Sequence, residues 1–200
     1  MWSGTETKII EVFFIRHGAT EGNLLHRYIG RTEEMLCLKG KEALRKKKKK
    51  TVDFLFSSPM KRCLETAEIL FPDQKPCVIE EWREMDFGEF EGKNYQDLDG
   101  NPAYQAWIDS NGTLPFPKGE SRDVFVERTL CGMKKMIGQI SQETEKIACV
   151  VHGGTIMAVL SEDTGEDYFS FQCKNGEGYR CSYEIKGEQR TLLSYEKDGQ

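Results

Sequence analysis

Two segments punctuate this chain in the same way, and together they restrict what it can fold into. The first is Lys8–Phe14, ending in Val12-Phe13-Phe14, followed by Ile15-Arg16-His17-Gly18. The second is Ile147-Ala148-Cys149-Val150-Val151, followed by His152-Gly153-Gly154. Each apolar run reads as a buried strand, and the second suits the middle of a parallel sheet. Each stops at a histidine and a glycine, and Gly18 leaves the backbone free to turn sharply. A lone histidine is more often structural than catalytic, but two in the same setting are harder to dismiss. In an open α/β sheet, ligands bind in the crevice beyond the strands' C-terminal ends. Parallel neighbouring strands would bring His17 and His152 together there. Arg16 adds a cation, so the strand end suggests an anion held against a nucleophile.

The remaining elements follow from periodicity and breakers. Leu24–Thr32 reads as a loop and Lys41–Lys50 as a short helix. Val52–Phe56 predicts a second strand. Ser58 then fits an N-cap and Pro59 the first position of a helix through Leu70. Arg62 falls in that helix's first turn, a location suited to anions, although a surface arginine reads equally well. Pro76–Glu80 predicts a short third strand. Glu81–Gly92 mixes aromatics, glycines and acids and reads as a functional loop. A carboxyl there could serve as a general acid if burial raises its pKa. Asn101–Ser110 predicts a short helix. Ser121–Gln142 predicts the longest one, with Val126, Leu130, Met133, Ile137 and Ile140 as its apolar stripe. A helix begins near Ile156. Tyr179–Ile185 and Arg190–Tyr195 read as a late antiparallel hairpin about Lys186-Gly187.

Composition excludes several classes. The net charge of -5 over 200 residues gives no sign of nucleic-acid binding, so an anion site must be a local pocket. No apolar run approaches the roughly 20 residues of a membrane span. The N-terminal Met-Trp-Ser-Gly-Thr-Glu lacks a signal peptide's basic and apolar regions. Seven cysteines, with no Cys-x-x-Cys pair, read as reduced thiols in a cytoplasm. The lysine run 46–50 reads as a solvated last helical turn and not as a nucleic-acid or membrane patch. With no internal repeat and no linker, residues 1–200 are expected to form one domain.

These residues resemble the histidine phosphatase superfamily, with its phosphoglycerate mutase-like fold. The resemblance rests on Arg16-His17-Gly18 with Thr20 and Asn23, and on Ser57-Ser58-Pro59 with Arg62 and Thr66-Ala67. It continues through Glu84 with Phe87-Gly88 and Glu91-Gly92, then Gly119-Glu120-Ser121 and His152-Gly153-Gly154. Five blocks in the family order cover nearly the whole chain. Glu33, Met35 and Cys37 stand where the family often has Asp, Pro and Thr. The fold this implies is a three-layer α/β/α arrangement with a mostly parallel central sheet.

The resemblance also implies roles. His17 would attack phosphorus and become a phosphohistidine. Arg16, Arg62 and His152 would bind the equatorial oxygens and stabilise their charge. Glu84 would protonate the leaving alkoxide and then activate water. Asn23, the backbone around Gly30, and Gly153 would contact phosphate or substrate. No metal and no other cofactor is expected. The expected reaction is hydrolysis of a small phosphorylated metabolite, most like the short bacterial group that includes the α-ribazole-phosphate phosphatases. A phosphoglycerate mutase of the same fold is the alternative, disfavoured by the little material between Glu84 and Gly119. A metal-dependent hydrolase lacks any close His-x-x-x-His or His-x-His spacing. A non-catalytic phosphate-binding module would not need Glu84. The quaternary state is expected to be a monomer or homodimer, and specificity to reside in Leu24–Cys37, Asn94–Lys118 and Ser161–Gly178.

Overall fold

The computed structural model describes residues 7–198. The N-terminal residues read above for a signal peptide lie outside that range. Strand β1 (Thr7–Arg16) is followed by helices α1 (Glu21–Leu24) and α2 (Leu38–Arg45), then strand β2 (Phe54–Ser57). Helix α3 (Lys61–Leu70), strand β3 (Cys77–Val78), helix α4 (Pro102–Asp109) and helix α5 (Arg122–Ile137) come next. Strand β4 (Lys146–Val151), helix α6 (Gly153–Thr164) and strands β5 (Gly178–Lys186) and β6 (Gln189–Asp198) complete the order.

The six strands form one sheet in the order β3-β2-β4-β1-β5-β6. β3, β2, β4 and β1 are parallel neighbours, and β5 and β6 add an antiparallel edge. Strand alternation sends successive side chains to opposite faces. Ile10, Val12 and Phe14 pack with Cys149 and Val151 against Met133, Ile137, Ile156 and Val159 of α5 and α6. Phe13 and Ile15 pack with Ala148 and Val150 against Cys63 and Ala67 of α3. The sheet is therefore the middle of three layers, as expected. A separate aromatic cluster around Phe90, Phe116 and Phe125 lies under the loop wall.

Three local expectations change. Helix α2 stops at Arg45, and the lysine run continues as turn and loop instead of a last helical turn. Lys50 pairs with Asp198 at 2.8 Å and sits 4.7 Å from the centre of the Phe13 ring, which holds that stretch against the sheet. Helix α5 ends at Ile137, and its buried face runs through Phe125, Thr129, Met133 and Met136, with Val126 and Leu130 half-buried at the edge. Finally, Met60 and not Ser58 is the N-cap of α3, and it makes no side-chain cap. Ser58 is drawn away by a partner distant in sequence.

Candidate active site

The register of β1 and β4 sets the site. Arg16 lies opposite Val151, so the chain leaves both strands at the same level. His17 and His152 follow immediately, and their ring centres stand 5.2 Å apart at 68°. Both are buried, with 3% and 0% exposure. Burial and the guanidinium groups of Arg62 and Arg16 hold both imidazoles well below the usual histidine range. Two neutral imidazoles thus face each other beside two permanent cations.

Hydrogen bonds settle which nitrogens are available. His17 Nδ1 lies 2.7 Å from the Gly18 carbonyl oxygen. A carbonyl only accepts, so Nδ1 carries the proton and Nε2 keeps its lone pair. The loop that carries this ring is clamped from three sides. Gly18 N–H donates to Thr66 Oγ1 at 2.9 Å. Asn175 Nδ2 donates to the His17 carbonyl at 3.1 Å, and Gly176 N–H donates to the Arg16 carbonyl at 2.9 Å. Gly18 is not in a left-handed turn; a side chain there would collide with Leu44.

His152 is fixed by Ser58, whose Oγ lies 2.7 Å from Nε2. The same oxygen accepts the Met60 N–H at 3.3 Å. With the Ser58 proton donated to Nε2, the His152 proton sits on Nδ1, 3.9 Å from Glu84 Oε2.

Arg62 is fully buried. Its terminal nitrogens hold the loop before α2, donating to the Thr32 carbonyl at 2.9 Å and the Gly30 carbonyl at 2.7 Å. Arg16 Nη1 donates to the Cys173 carbonyl at 2.7 Å. The Nε atoms of both arginines are buried with no partner. A buried donor without an acceptor costs about 1–3 kcal/mol, and an anion's oxygens would satisfy both.

Glu84 closes the opposite side. Met85 N–H donates to its Oε1 at 3.0 Å. Burial pushes its carboxyl above the usual carboxylate range, against the pull of Met85 N–H, Arg62 and Arg16. Its place depends on Gly154: a Cβ there would come within 2.5 Å of Oε1. Gly153, one residue earlier, lies against the Arg16 guanidinium at the start of α6, where a Cβ would stand 3.5 Å from Nε, an ordinary contact.

The structure brings His17, His152, Arg16, Arg62, Glu84 and Gly153 to one place. Two expected contact residues are occupied differently. Gly30 N–H donates to Glu91 Oε1 at 2.8 Å and its carbonyl receives Arg62, so its backbone holds the clamp. Asn23 Oδ1 accepts from Thr20 N–H at 3.2 Å and from Asn175 at 3.0 Å. Sequence reasoning gave Ser58 only the role of an N-cap and assigned no task to Thr66 or Asn175. The first two lay inside the quoted blocks; Asn175 carried no signal beyond its Lys-Asn-Gly turn. The departures also find uses: Cys37 Sγ accepts the Gly40 N–H and Glu33 accepts the Lys61 N–H. Among the described residues, no cluster of three or more His, Cys, Asp or Glu side chains is placed to hold a metal ion.

A pocket of about 250 Å³ opens beside these groups, reaching from Arg16, Glu84 and Gly153 to Tyr28, Trp107 and Tyr168. Comparison with known proteins points the same way. The metal-independent phosphoserine phosphatase of Arabidopsis thaliana is 29% identical over 168 residues, covering 77% of this chain and 68% of that one. The adenosylcobalamin/alpha-ribazole phosphatase of Escherichia coli is 28% identical over 167 residues, covering 78% and 80%. The phosphoserine phosphatase of Entamoeba histolytica, solved with 3-phosphoglyceric acid, superposes with a TM-score of 0.77 at 25% identity, covering 96% and 98%. The family model described as the histidine phosphatase superfamily, branch 1, matches residues 12–197, and the chain belongs to that family.

Proposed function

We propose that residues 1–200 form one domain that hydrolyses a small phosphorylated metabolite through a phosphohistidine. His17 Nε2 attacks phosphorus and the bond to the leaving oxygen breaks. Glu84, whose carboxyl burial pushes above the usual carboxylate range, delivers a proton to that oxygen. A water then attacks the phosphohistidine, Glu84 takes its proton, and phosphate leaves with His17 restored. Arg16, Arg62 and His152 Nδ1–H supply donors to the oxygens whose charge grows in each transition state. The observation that carries this reading is the His17 tautomer, which leaves Nε2 as a lone pair among unpartnered arginine donors.

The names of the relatives support a phosphatase, and the compact wall between Glu84 and Gly119 favours water over a second hydroxyl as acceptor. Seven thiols, none in a disulfide, support a reducing, cytoplasmic setting. The domain works as a monomer or homodimer and needs no nucleic acid. Among the described residues, no helix is long and apolar enough to cross a membrane.

The test is to mix the protein with p-nitrophenyl phosphate, quench in alkali and map the modified peptide by mass. One phosphoryl group on His17 is expected, and its absence from His17→Ala. Incubation with 3-phosphoglycerate, with and without 2,3-bisphosphoglycerate, then separates the fates. Free phosphate is expected; 2-phosphoglycerate as the main product would replace hydrolysis by the mutase reaction.

A further inference from the structure

The pocket's far walls are chemically unlike its phosphate end. Tyr28, Phe87, Trp107, Phe116 and Tyr168 line it. Phe116 stands 5.0 Å from both Trp107 and Phe87, centre to centre, and Phe87 stands 5.3 Å from Tyr28. These walls come from four segments far apart in sequence, and the rings of Tyr28, Phe87, Phe116 and Trp107 form one continuous aromatic surface.

The two tyrosine hydroxyls are engaged within the protein. Tyr28 meets the Tyr104 hydroxyl at 3.3 Å, and Tyr168 donates to the Gly154 carbonyl at 3.3 Å. What these residues offer a ligand is ring surface, together with the Trp107 indole N–H, a buried donor without a partner. A polyol would leave hydroxyls desolvated against rings. A flat aromatic group would gain apolar burial and ring contacts instead.

Three charged side chains line this pocket: Arg16, Glu84 and Arg122. The first two belong to the phosphate chemistry. Arg122 comes from the first turn of α5, with its guanidinium 5.5 Å from the Tyr168 ring centre. It makes no ion pair or hydrogen bond among the described residues. Asp123, Glu127, Glu162, Glu166 and Asp167 share the adjoining surface cleft with it, yet none reaches ion-pair distance. A guanidinium on an aromatic wall, unpaired beside available carboxylates, is a seat for a ligand anion. Its planar fork matches a carboxylate.

We propose that the substrate is a phosphomonoester of a planar aromatic group that also bears a carboxylate, with the ring against the Tyr28–Trp107–Phe116 wall and the carboxylate on Arg122. The inference rests on the phosphatase reading and narrows it. Arg122 is then a specificity residue that touches the substrate remote from phosphorus.

The test compares 2-, 3- and 4-carboxyphenyl phosphates with their neutral carbamoyl counterparts, alongside phenyl phosphate, phosphoserine and 3-phosphoglycerate, on the full chain. At least one carboxyphenyl isomer should exceed its amide in kcat/KM by about tenfold or more, as expected for a charge-assisted pair. The difference should lie mainly in KM. In Arg122→Gln that ratio should fall close to one, and in Arg122→Lys to an intermediate value. Trp107→Ala should shrink the preference for phenyl phosphate over the two aliphatic esters. The proposal is overturned if no isomer beats its amide, if the ratio survives Arg122→Gln, or if phosphoserine is turned over better than every aryl ester. Loss of the broader reading looks different: p-nitrophenyl phosphate would show no hydrolysis that depends on His17.

Discussion

The Nδ1 of His17 lies 2.7 Å from the carbonyl oxygen of the next residue, Gly18. That bond places the ring's proton on the side away from the reacting atom. The ring cannot turn to present the other nitrogen without losing a buried bond, because the Gly18 peptide is itself held by Thr66. A residue adjacent in sequence thus selects the nucleophilic atom.

The pH dependence of kcat/KM follows from two opposite shifts. His17 is held well below its ordinary value of 6.5, and it must be neutral to attack. Glu84 is pushed above its ordinary value of 4.5, and it must be protonated to act as an acid. Activity should therefore rise through an acid limb lying below pH 6.5 and fall through an alkaline limb lying above pH 4.5. Glu84→Gln should remove the alkaline limb, since an amide does not titrate. A profile that keeps that limb in the variant would detach Glu84 from it.

Glu84→Gln should also separate substrates by leaving group. An alkyl phosphate needs its oxygen protonated and should lose about 10²–10⁴-fold in kcat. p-Nitrophenyl phosphate leaves without that help and should lose much less. Equal losses on both esters would take Glu84 out of the acid role.

Gly154→Ala tests the same carboxyl from a distance. The new Cβ would overlap the position of Glu84 Oε1, with Phe125 close behind it. A displacement on the order of 1 Å can cost about 10²-fold. The loss should show the leaving-group dependence of Glu84→Gln, measured on the same pair of esters, with the folded circular dichroism spectrum retained. A uniform loss on both esters would mean the carboxyl had not moved.

Ser58→Ala should act through His152. The buried Nε2 loses its hydrogen-bond partner, which costs roughly 1–3 kcal/mol of stability by the penalty for an unsatisfied buried group. The proton is then free to sit on either nitrogen, so kcat should fall while KM for p-nitrophenyl phosphate changes less. Denaturant titration and steady-state kinetics read the two effects. Wild-type stability together with wild-type kcat would remove Ser58 as the orienting group.

Inorganic phosphate should raise the melting temperature of the apo protein. Ligand at 100-fold above its dissociation constant adds about 2.7 kcal/mol to stability. Arg16→Ala should abolish most of the shift, because it removes one of the two unpartnered Nε donors. EDTA should change neither the shift nor the turnover of p-nitrophenyl phosphate. A loss of activity on chelation that zinc restores would support the metal-dependent hydrolase instead.

Much of the site was legible because its parts sit at strand ends. A buried parallel strand announces itself by a continuous apolar run, and the residue that ends it stands at the mouth of the crevice. Val151 followed by His152 and Ile15 followed by Arg16-His17 could be read on that basis alone. Helix ends were less legible. The apolar stripe of α5 suggested a helix to Gln142, but the chain turns after Ile137 so that Ile140 reaches the core from a turn. Ser58 looked like a cap, since local chemistry could satisfy it. Its partner His152 is 94 residues away, and that bond decided its role.

The sequence alone determined the two strand–histidine–glycine junctions and, through the family resemblance its motifs carry, pointed to the layered α/β fold and the residue types for phosphoryl chemistry. These depend on hydrophobic pattern and on adjacency, which are local properties. The tertiary structure decided which histidine nitrogen is free, that the Gly30 backbone holds an arginine, and that Arg122 shares one pocket with rings from four segments. Those outcomes depend on hydrogen bonds and packing between residues far apart in the chain, and periodicity carries no information about such partners.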